Sequence, residues 1–492
     1  MTTAAAESGT TAAILDWLAT QPSGSTTEEI AQLAHQLAQL ADPTVGPAQH
    51  HRCIELFYGR SLRIASDFKP RLIEAGLPLD RTAYDSAKRL CESLNTIAKG
   101  FLRVTQDARE GAIRPQRRQV ETLAARGLRM LSEALEIAAL SGSFDTSGLW
   151  PNAMALFEAS GQESAPSDAE AGESAQFAFK RLATFGCLQL ERLSQNEIAW
   201  VGDYLNRIAS LLQVGTQAPS SADSPCYWLT ANTDAPPQSL MRAQPAPGAP
   251  ATYLSTAALA KRVGEHLGRL EAGQQPFELN LPKVAIGVQP MALLQRLRFE
   301  WAIPAKREQP RRKARYPVQA CTGIPAIWKV LRGDADIQAQ EWEVVNESPG
   351  GFSILHVAGI ADNLSAGMAV ALRTQEDVAW TICVVRWIRS EIPSQVELGL
   401  QVVSTGATPV MVGFRGSRER PNKMVPALVL PALPALRHHP AVLAPTGTYT
   451  SRRFALVSDL DRVYVAQGRL LSLDMQTANV ELFQFEIDPY PI

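Results

Sequence analysis

Two hydrophobic periods divide the chain. Up to about residue 301 apolar side chains recur at helical spacing. Ile30, Leu33, Leu37 and Leu40 line one face behind Thr26-Thr27-Glu28-Glu29, which has capping-box spacing. Pro47 opens a second pattern through Ile54, Leu56, Phe57, Leu62 and Ile64, with a bend or break expected at Pro70. Further helical patterns run over about Thr82–Val104, Arg117–Leu140, Ala175–Leu212, Ser255–Ala272 (Ser255 as cap) and Met291–Trp301. Long helices with few β-branched runs predict an all-α bundle over 26–214, behind a loose tail at 1–25 with at most one short helix near Ile14–Leu18.

After Trp301 the period shortens. Val344-Val345, Phe352–Val357, Met368–Leu372, Trp380–Trp387 and Val396–Val403 are short β-branched and aromatic runs separated by turn residues, among them Asp362-Asn363 and Thr374–Asp377. That spacing predicts a small antiparallel barrel over about 303–405. Pro409–Phe414, Ala427–Leu430, Ala441–Leu443, Arg453–Val457, Val463–Leu471 and Val480–Ile487 continue the pattern, as a C-terminal β module over 406–492. Between the two regimes, 215–302 combines a proline-rich linker with helices. Gly215–Pro250 holds seven prolines, yet Tyr227, Trp228 and Leu229 inside it read as a short packed strand. Ser160–Ala171 reads as an exposed loop. The fold class is therefore multidomain α + β.

Composition narrows the functions. A chain of 492 residues is long enough for roughly two to four cores. Net charge −2 argues against general polyanion binding, so an anion site must be local. Six cysteines without C-x-x-C spacing suit reduced, buried thiols. Met1–Ile14 lacks Lys, Arg and a signal-type apolar core, and the apolar stretch Met424–Leu436 contains three prolines and is too short to span a bilayer. These features predict a cytoplasmic protein.

One local patch does stand out. Lys306, Arg307, Arg311, Arg312, Lys313 and Arg315 surround a single acid, Glu308. Pro310 and Pro317 disfavour helix here, so the segment is expected as a mobile loop from which Arg311 and Arg315 converge on one ligand. Guanidinium forks suit both phosphate oxygens and the O6/N7 edge of guanine. About thirty residues on, Asn346-Glu347-Ser348-Pro349-Gly350-Gly351 adds an amide, a hydroxyl and two glycines that permit positive φ and close backbone approach.

Arg311 and Arg315 fit R-x-x-x-R, and Asn346, Ser348 and Gly351 fit [D/N]-x-S-x-x-G. Together, in this order and ahead of short strands, they resemble the PilZ domain family, β-barrels that bind cyclic di-GMP. Cys383–Trp387 is similar to the family's V-R-W strand, and Leu398–Gln401 to its L-G-x-x-F strand, with Val402 replacing the aromatic. The resemblance covers about 300–405. It implies a cyclic di-GMP receptor whose ligand contacts are Arg311, Arg312, Arg315, Asn346, Ser348 and Gly351. The helical part would then relay messenger level to a protein partner in motility, pilus, secretion or polysaccharide machinery. No cofactor, metal, catalytic residue or stable nucleic-acid partner is expected. Two other readings remain at this point: a PilZ-like module that binds protein instead of nucleotide, and a nucleic-acid binder through Lys306–Arg315 with steep salt dependence.

Other signals carry less. Glu133-Ala134-Leu135 spells a phosphodiesterase motif but lies in a helical pattern without metal ligands. His50, His51 and Cys53 have usable metal spacing, although Cys53 faces the predicted core. His438-His439 reads as an exposed loop. Neither G-x-S-x-G nor a Walker A lysine loop occurs.

Overall fold

The computed structural model describes residues 12–20, 24–40, 45–111, 117–161, 174–221, 224–285, 287–303, 310–334, 339–356, 363–374, 379–414, 424–434, 437–449, 451–460 and 462–488. Most of the loop read at 160–171, the tail before residue 12, Asp362, the turn at 375–377, and Lys306, Arg307 and Glu308 lie outside them.

The helical region comprises α1 (12–19), α2 (Thr26–Leu40), α3 (Pro47–Ala75), α4 (Arg81–Arg109), α5 (Arg117–Leu140), α6 (Leu149–Ser160), α7 (Ala175–Gly186) and α8 (Gln195–Ile208). Two expectations change. α3 runs unbroken through Pro70, because Phe57, Ile64, Phe68 and Leu72 stay buried along one face and tertiary packing outweighs the lost hydrogen bond. The single helix read over 175–212 is two, joined through a short 3-10 turn at Leu190–Arg192. The second starts cleanly because Ser194 and Glu197 form a reciprocal capping box. α5 is the central helix: Leu128, Leu131, Ile137 and Leu140 are fully buried, against α4 on one side and α7 on the other.

The proline-rich stretch holds a four-stranded sheet, in order β1 (Gln213–Gly215), β4 (Thr252–Ser255), β2 (Cys226–Leu229), β3 (Gln238–Ser239). Tyr227 anchors it by donating its hydroxyl to the Glu300 carbonyl at 2.7 Å. α9 (Ala257–Glu271) and α10 (Pro290–Ala302) follow. The side chain expected to cap α9 does not: Thr256 is the N-cap, and its hydroxyl instead donates to the Trp301 carbonyl at 2.6 Å.

Two closed antiparallel barrels complete the chain. The first runs β10-β7-β6-β5-β8-β9, built from β5 (Arg312–Thr322), β6 (Gln340–Ser348), β7 (Gly351–His356), β8 (Ala369–Arg373), β9 (Thr381–Arg389) and β10 (Val396–Ser404). The second runs β11-β12-β13-β16-β15-β14, over Thr408–Phe414, Val425–Leu430, Ala441–Pro445, Arg453–Ser458, Tyr464–Gln476 and Val480–Ile487 in chain order. Its interior is aromatic: Phe414, Phe454, Phe483 and Phe485 stack and cross at 5.2–5.8 Å. A helix absent from the sequence reading, α11 (Ile324–Leu331), starts at Gly323 with Pro325 in its first turn and buries Ile324 and Ile327 between the barrels.

The first barrel is fastened to the helices. Its interior (Val344, Ile354, Val385, Leu398, Leu400) belongs to the same continuous core as the bundle. At the seam Leu364 N donates to the Leu77 carbonyl at 2.7 Å and Ser390 N to the Gly142 carbonyl at 2.8 Å. Tyr84 donates to the Glu391 carbonyl at 2.5 Å, while the Glu391 carboxylate accepts from Ser143 and Phe144.

Candidate ligand-binding site

β6 and β7 form a hairpin closed by Pro349-Gly350, with Ser348 opposite Gly351, Glu347 opposite Phe352 and Asn346 opposite Ser353. The Ser348 hydroxyl donates to the Gly351 carbonyl at 3.3 Å. Val402, at the position where an aromatic was expected, donates its backbone N–H to the Gly350 carbonyl at 3.0 Å and ties the hairpin tip to β10. Gly351 is needed for approach rather than for positive φ: a Cβ there would sit 2.0 Å from the Leu400 carbonyl oxygen on the adjacent strand.

The arginine segment is not the loop that its prolines suggested. Arg312–Thr322 is a strand, with Arg312 opposite Glu347 and Lys313 opposite Asn346. A bulge between Lys313 and Tyr316 takes up the extra residues. Pro317 is tolerated because β8 joins β5 only from Gln319 onward, leaving this half of the strand with one neighbour. β6 also supplies counter-charge. Arg312 Nη2 lies 2.7 Å from Glu347 and Arg315 Nε 2.6 Å from Glu343. The Tyr316 hydroxyl and Arg312 hold the Glu347 carboxyl below its usual range, and the hydrogen bond to Glu343 raises the Arg315 pKa.

Strand pairing brings the two motifs together. Arg311, just before β5, donates from Nη1 to Asn346 Oδ1 at 3.2 Å. Arg312 and Arg315 follow it along the strand, each with 82% of its side chain exposed. Their ion pairs are solvent-screened and hence weak. Ser348 and Gly351, paired at the end of the hairpin, come next along the strands from Asn346. The site is an open surface; a cavity of about 330 Å³ lies elsewhere, between α4, the α5–α6 turn and Glu391.

Sequence reasoning left Trp387 unassigned. It lies across Gly399, where a Cβ would come within 1.9 Å of the indole nitrogen. Gly399 pairs with both Ser353 and Trp387, which extends the hairpin's face to a half-exposed aromatic. The signal was the glycine in Leu398-Gly399, which marks a close approach in a strand interior.

Comparison with known proteins follows the same division. Residues 12–220 match the family model described as the N-terminal domain of the cyclic-di-GMP receptor FimW, and residues 332–409 match that of its middle PilZ domain. The first barrel is therefore similar to a PilZ domain. The PilZ match takes in the Asn346–Gly351 hairpin and β6–β10 but begins after Arg311–Arg315. A curated relative, the cyclic-di-GMP receptor FimW of Pseudomonas aeruginosa (strain PAO1), is 22% identical over 511 residues, covering 87% of this chain and 83% of its own. No solved structure matches the chain at a significant level.

The remaining candidates are accounted for otherwise. Glu133, in the phosphodiesterase-like tripeptide, is buried in α5 and bound by Lys69 and Arg129. His50 is buried, and burial with the nearby Arg103 charge lowers its pKa to about 4. No group of metal-ligating side chains assembles among the described residues. No helix among them is long and apolar enough to cross a membrane.

Proposed function

We propose that the chain is a cytoplasmic cyclic di-GMP receptor, a binding protein and not an enzyme, with Arg311, Arg312, Arg315, Asn346, Ser348 and Gly351 as its ligand contacts. The observation that carries this reading is the 3.2 Å contact between Arg311 and Asn346, which joins a guanidinium fork to the hairpin floor. The name of the FimW relative supports the same ligand. Arg311 is placed for a guanine edge or phosphate, while Arg312 and Arg315 exchange Glu347 and Glu343 for the phosphodiester oxygens. Ser348 and the Asn346 amide orient the base, and Trp387 offers a stacking face at the end of the row.

The reading assigns 303–405 to ligand binding, 26–214 and 215–302 to output, and 406–492 to a β module that braces the barrel through α11. The seam contacts at Leu77, Gly142 and Glu391 give occupancy a route to the helices, provided that ligand prefers one arrangement of the two halves. A protein partner on the helical surface receives the signal. With net charge −2 and Glu343 and Glu347 beside the arginines, the local field is too weak for the many phosphate contacts that nucleic-acid binding needs.

Calorimetry of cyclic di-GMP against the full chain tests the site. Arg311→Ala, Arg315→Ala and Ser348→Ala should each weaken binding, the arginines by roughly ten- to a hundredfold. Unchanged affinity in all three variants refutes the assignment.

A further inference from the structure

The seam between barrel and helices gathers arginines whose neighbouring acids are already engaged. β9 carries one residue too many for its partner: Gly399 pairs with Trp387 and Leu400 with Val385, leaving Arg386 as the bulge. The bulge turns Arg386 out of the ladder onto the exposed surface. The 3-10 turn Leu190–Arg192 is clamped to the same strand by Arg389, 3.2 Å from Glu191. α10 reaches that turn through Arg296, whose Nη1 donates to the Arg192 carbonyl at 3.5 Å.

Three guanidiniums therefore crowd one place. Surrounding protein crowds the Arg386 guanidinium although the residue still reaches solvent, and this crowding, then the charges of Arg192 and Arg296, depress its pKa. The acids nearby are committed: Glu191 to Arg389, Glu197 to Arg296, and Glu300 to the Gln189 N–H at 3.1 Å. Burial raises the Glu300 pKa. Among the described residues the side chains of Arg192 and Arg386 have no hydrogen-bond or ion-pair partner, and Arg296 Nε is buried without an acceptor. Like charges held together, with the donors of Arg192 and Arg386 unused, form a surface that a multivalent anion completes.

We infer that Arg192, Arg296 and Arg386 form a second anion subsite, at the seam, that takes a phosphate group. It goes beyond the receptor reading and does not depend on the Asn346–Gly351 hairpin. Two sources share this chemistry: a phosphodiester of a cyclic dinucleotide, and a free phosphate or pyrophosphate. Either would pull α10, the 190–192 turn and β9 together, so the subsite also couples barrel to helices.

The test is calorimetric titration of inorganic pyrophosphate into the full chain, wild type beside Arg311→Ala, Arg386→Gln and the double variant Arg192→Gln/Arg386→Gln. Pyrophosphate can also meet Arg311, Arg312 and Arg315, so the seam is read as the part of wild-type binding that survives in Arg311→Ala; Arg386→Gln should weaken that part, and the double variant should weaken it at least tenfold. Should the double variant melt early, Arg386→Gln against Arg386→Lys decides, because Arg386 faces solvent and lysine keeps the charge. Repeating the titration with cyclic di-GMP present separates the sources. Displacement of pyrophosphate assigns the subsite to the dinucleotide, and simultaneous binding assigns it to an independent phosphate. Absence of pyrophosphate binding by the wild type, or equal affinity in the glutamine variants, overturns the inference. Loss of cyclic di-GMP binding in Arg311→Ala with pyrophosphate binding intact keeps the two sites' fates separate.

Discussion

Gly351→Val should destabilise the first barrel by about 3 kcal/mol, at the upper end of the usual cost of overpacking, and abolish measurable cyclic di-GMP binding with it. The obstacle is backbone. A Cβ at 351 lies 2.0 Å from the Leu400 carbonyl oxygen and 3.1 Å from its carbon, so no side-chain rotation relieves the clash. β7 must move away from β10, breaking the pairing of Gly351 with Gln401 and of Phe352 with Leu400. The hairpin tip then loses the Val402 N–H contact to Gly350, and Ser348 moves off Asn346's side of the site. Gly406→Ala is the control, because its Cβ meets open space; it should stay within roughly 0.5 kcal/mol of wild type. Urea denaturation of both variants, followed by nucleotide titration of the folded one, reads the difference.

The helical region depends on a buried ion network, and Lys69→Met should cost about 3–5 kcal/mol by stranding its carboxylates. Lys69 Nζ lies 2.5 Å from Glu133 and 3.0 Å from Glu136, whose side chains are 5% and 7% exposed. Arg129 and Arg181 reach the same pair at 2.9 and 3.7 Å. Burial alone would raise the Glu133 pKa, but Lys69, then Arg129, overcome it and leave the carboxyl lowered. A lowered carboxyl contributes stability that is present above its unfolded pKa and lost as pH falls through its folded one. The network's contribution should therefore be complete above the ordinary carboxylate value of 4.5 and shrink as pH falls below it. Lys69→Met removes the largest opposing charge and lets burial raise the carboxyl, so the variant should lose less stability on acidification than wild type, and the difference between the two should narrow as pH falls. Denaturation midpoints from pH 7 to acid check both statements; identical profiles would show that the network is not stabilising.

How far residues could be read depended on where their partners lay. Capping boxes, helical faces and alternating strands are local, and they located α2, α4, α5 and β6–β10. Elements decided by distant contacts were not legible. α3 passes Pro70 because the bundle packs its far end, and α11 exists because two barrels need covering at one place. The four-stranded sheet hides among prolines because its anchors, Tyr227 to Glu300 and Thr256 to Trp301, span long separations in the chain. At the site, both motifs could be named from their spacing. Their conformation could not: Arg312–Arg315 became strand because Glu343 and Glu347 lie opposite on β6, which makes a run of cations tolerable in a ladder. Trp387 and Arg386 needed the bulge opposite Gly399 to show where each side chain goes.

The central claim is that an arginine arm over the Asn346–Gly351 hairpin recognises a guanine dinucleotide. It is tested most directly by measuring the dissociation constant of the full chain for cyclic di-GMP beside those for GTP and cyclic AMP at one salt concentration. Cyclic di-GMP should bind at least a hundredfold more tightly than either, since only it presents guanine edges and phosphodiesters together to Arg311, Arg312 and Arg315. Equal affinity for all three nucleotides, or no binding of cyclic di-GMP, would contradict the account.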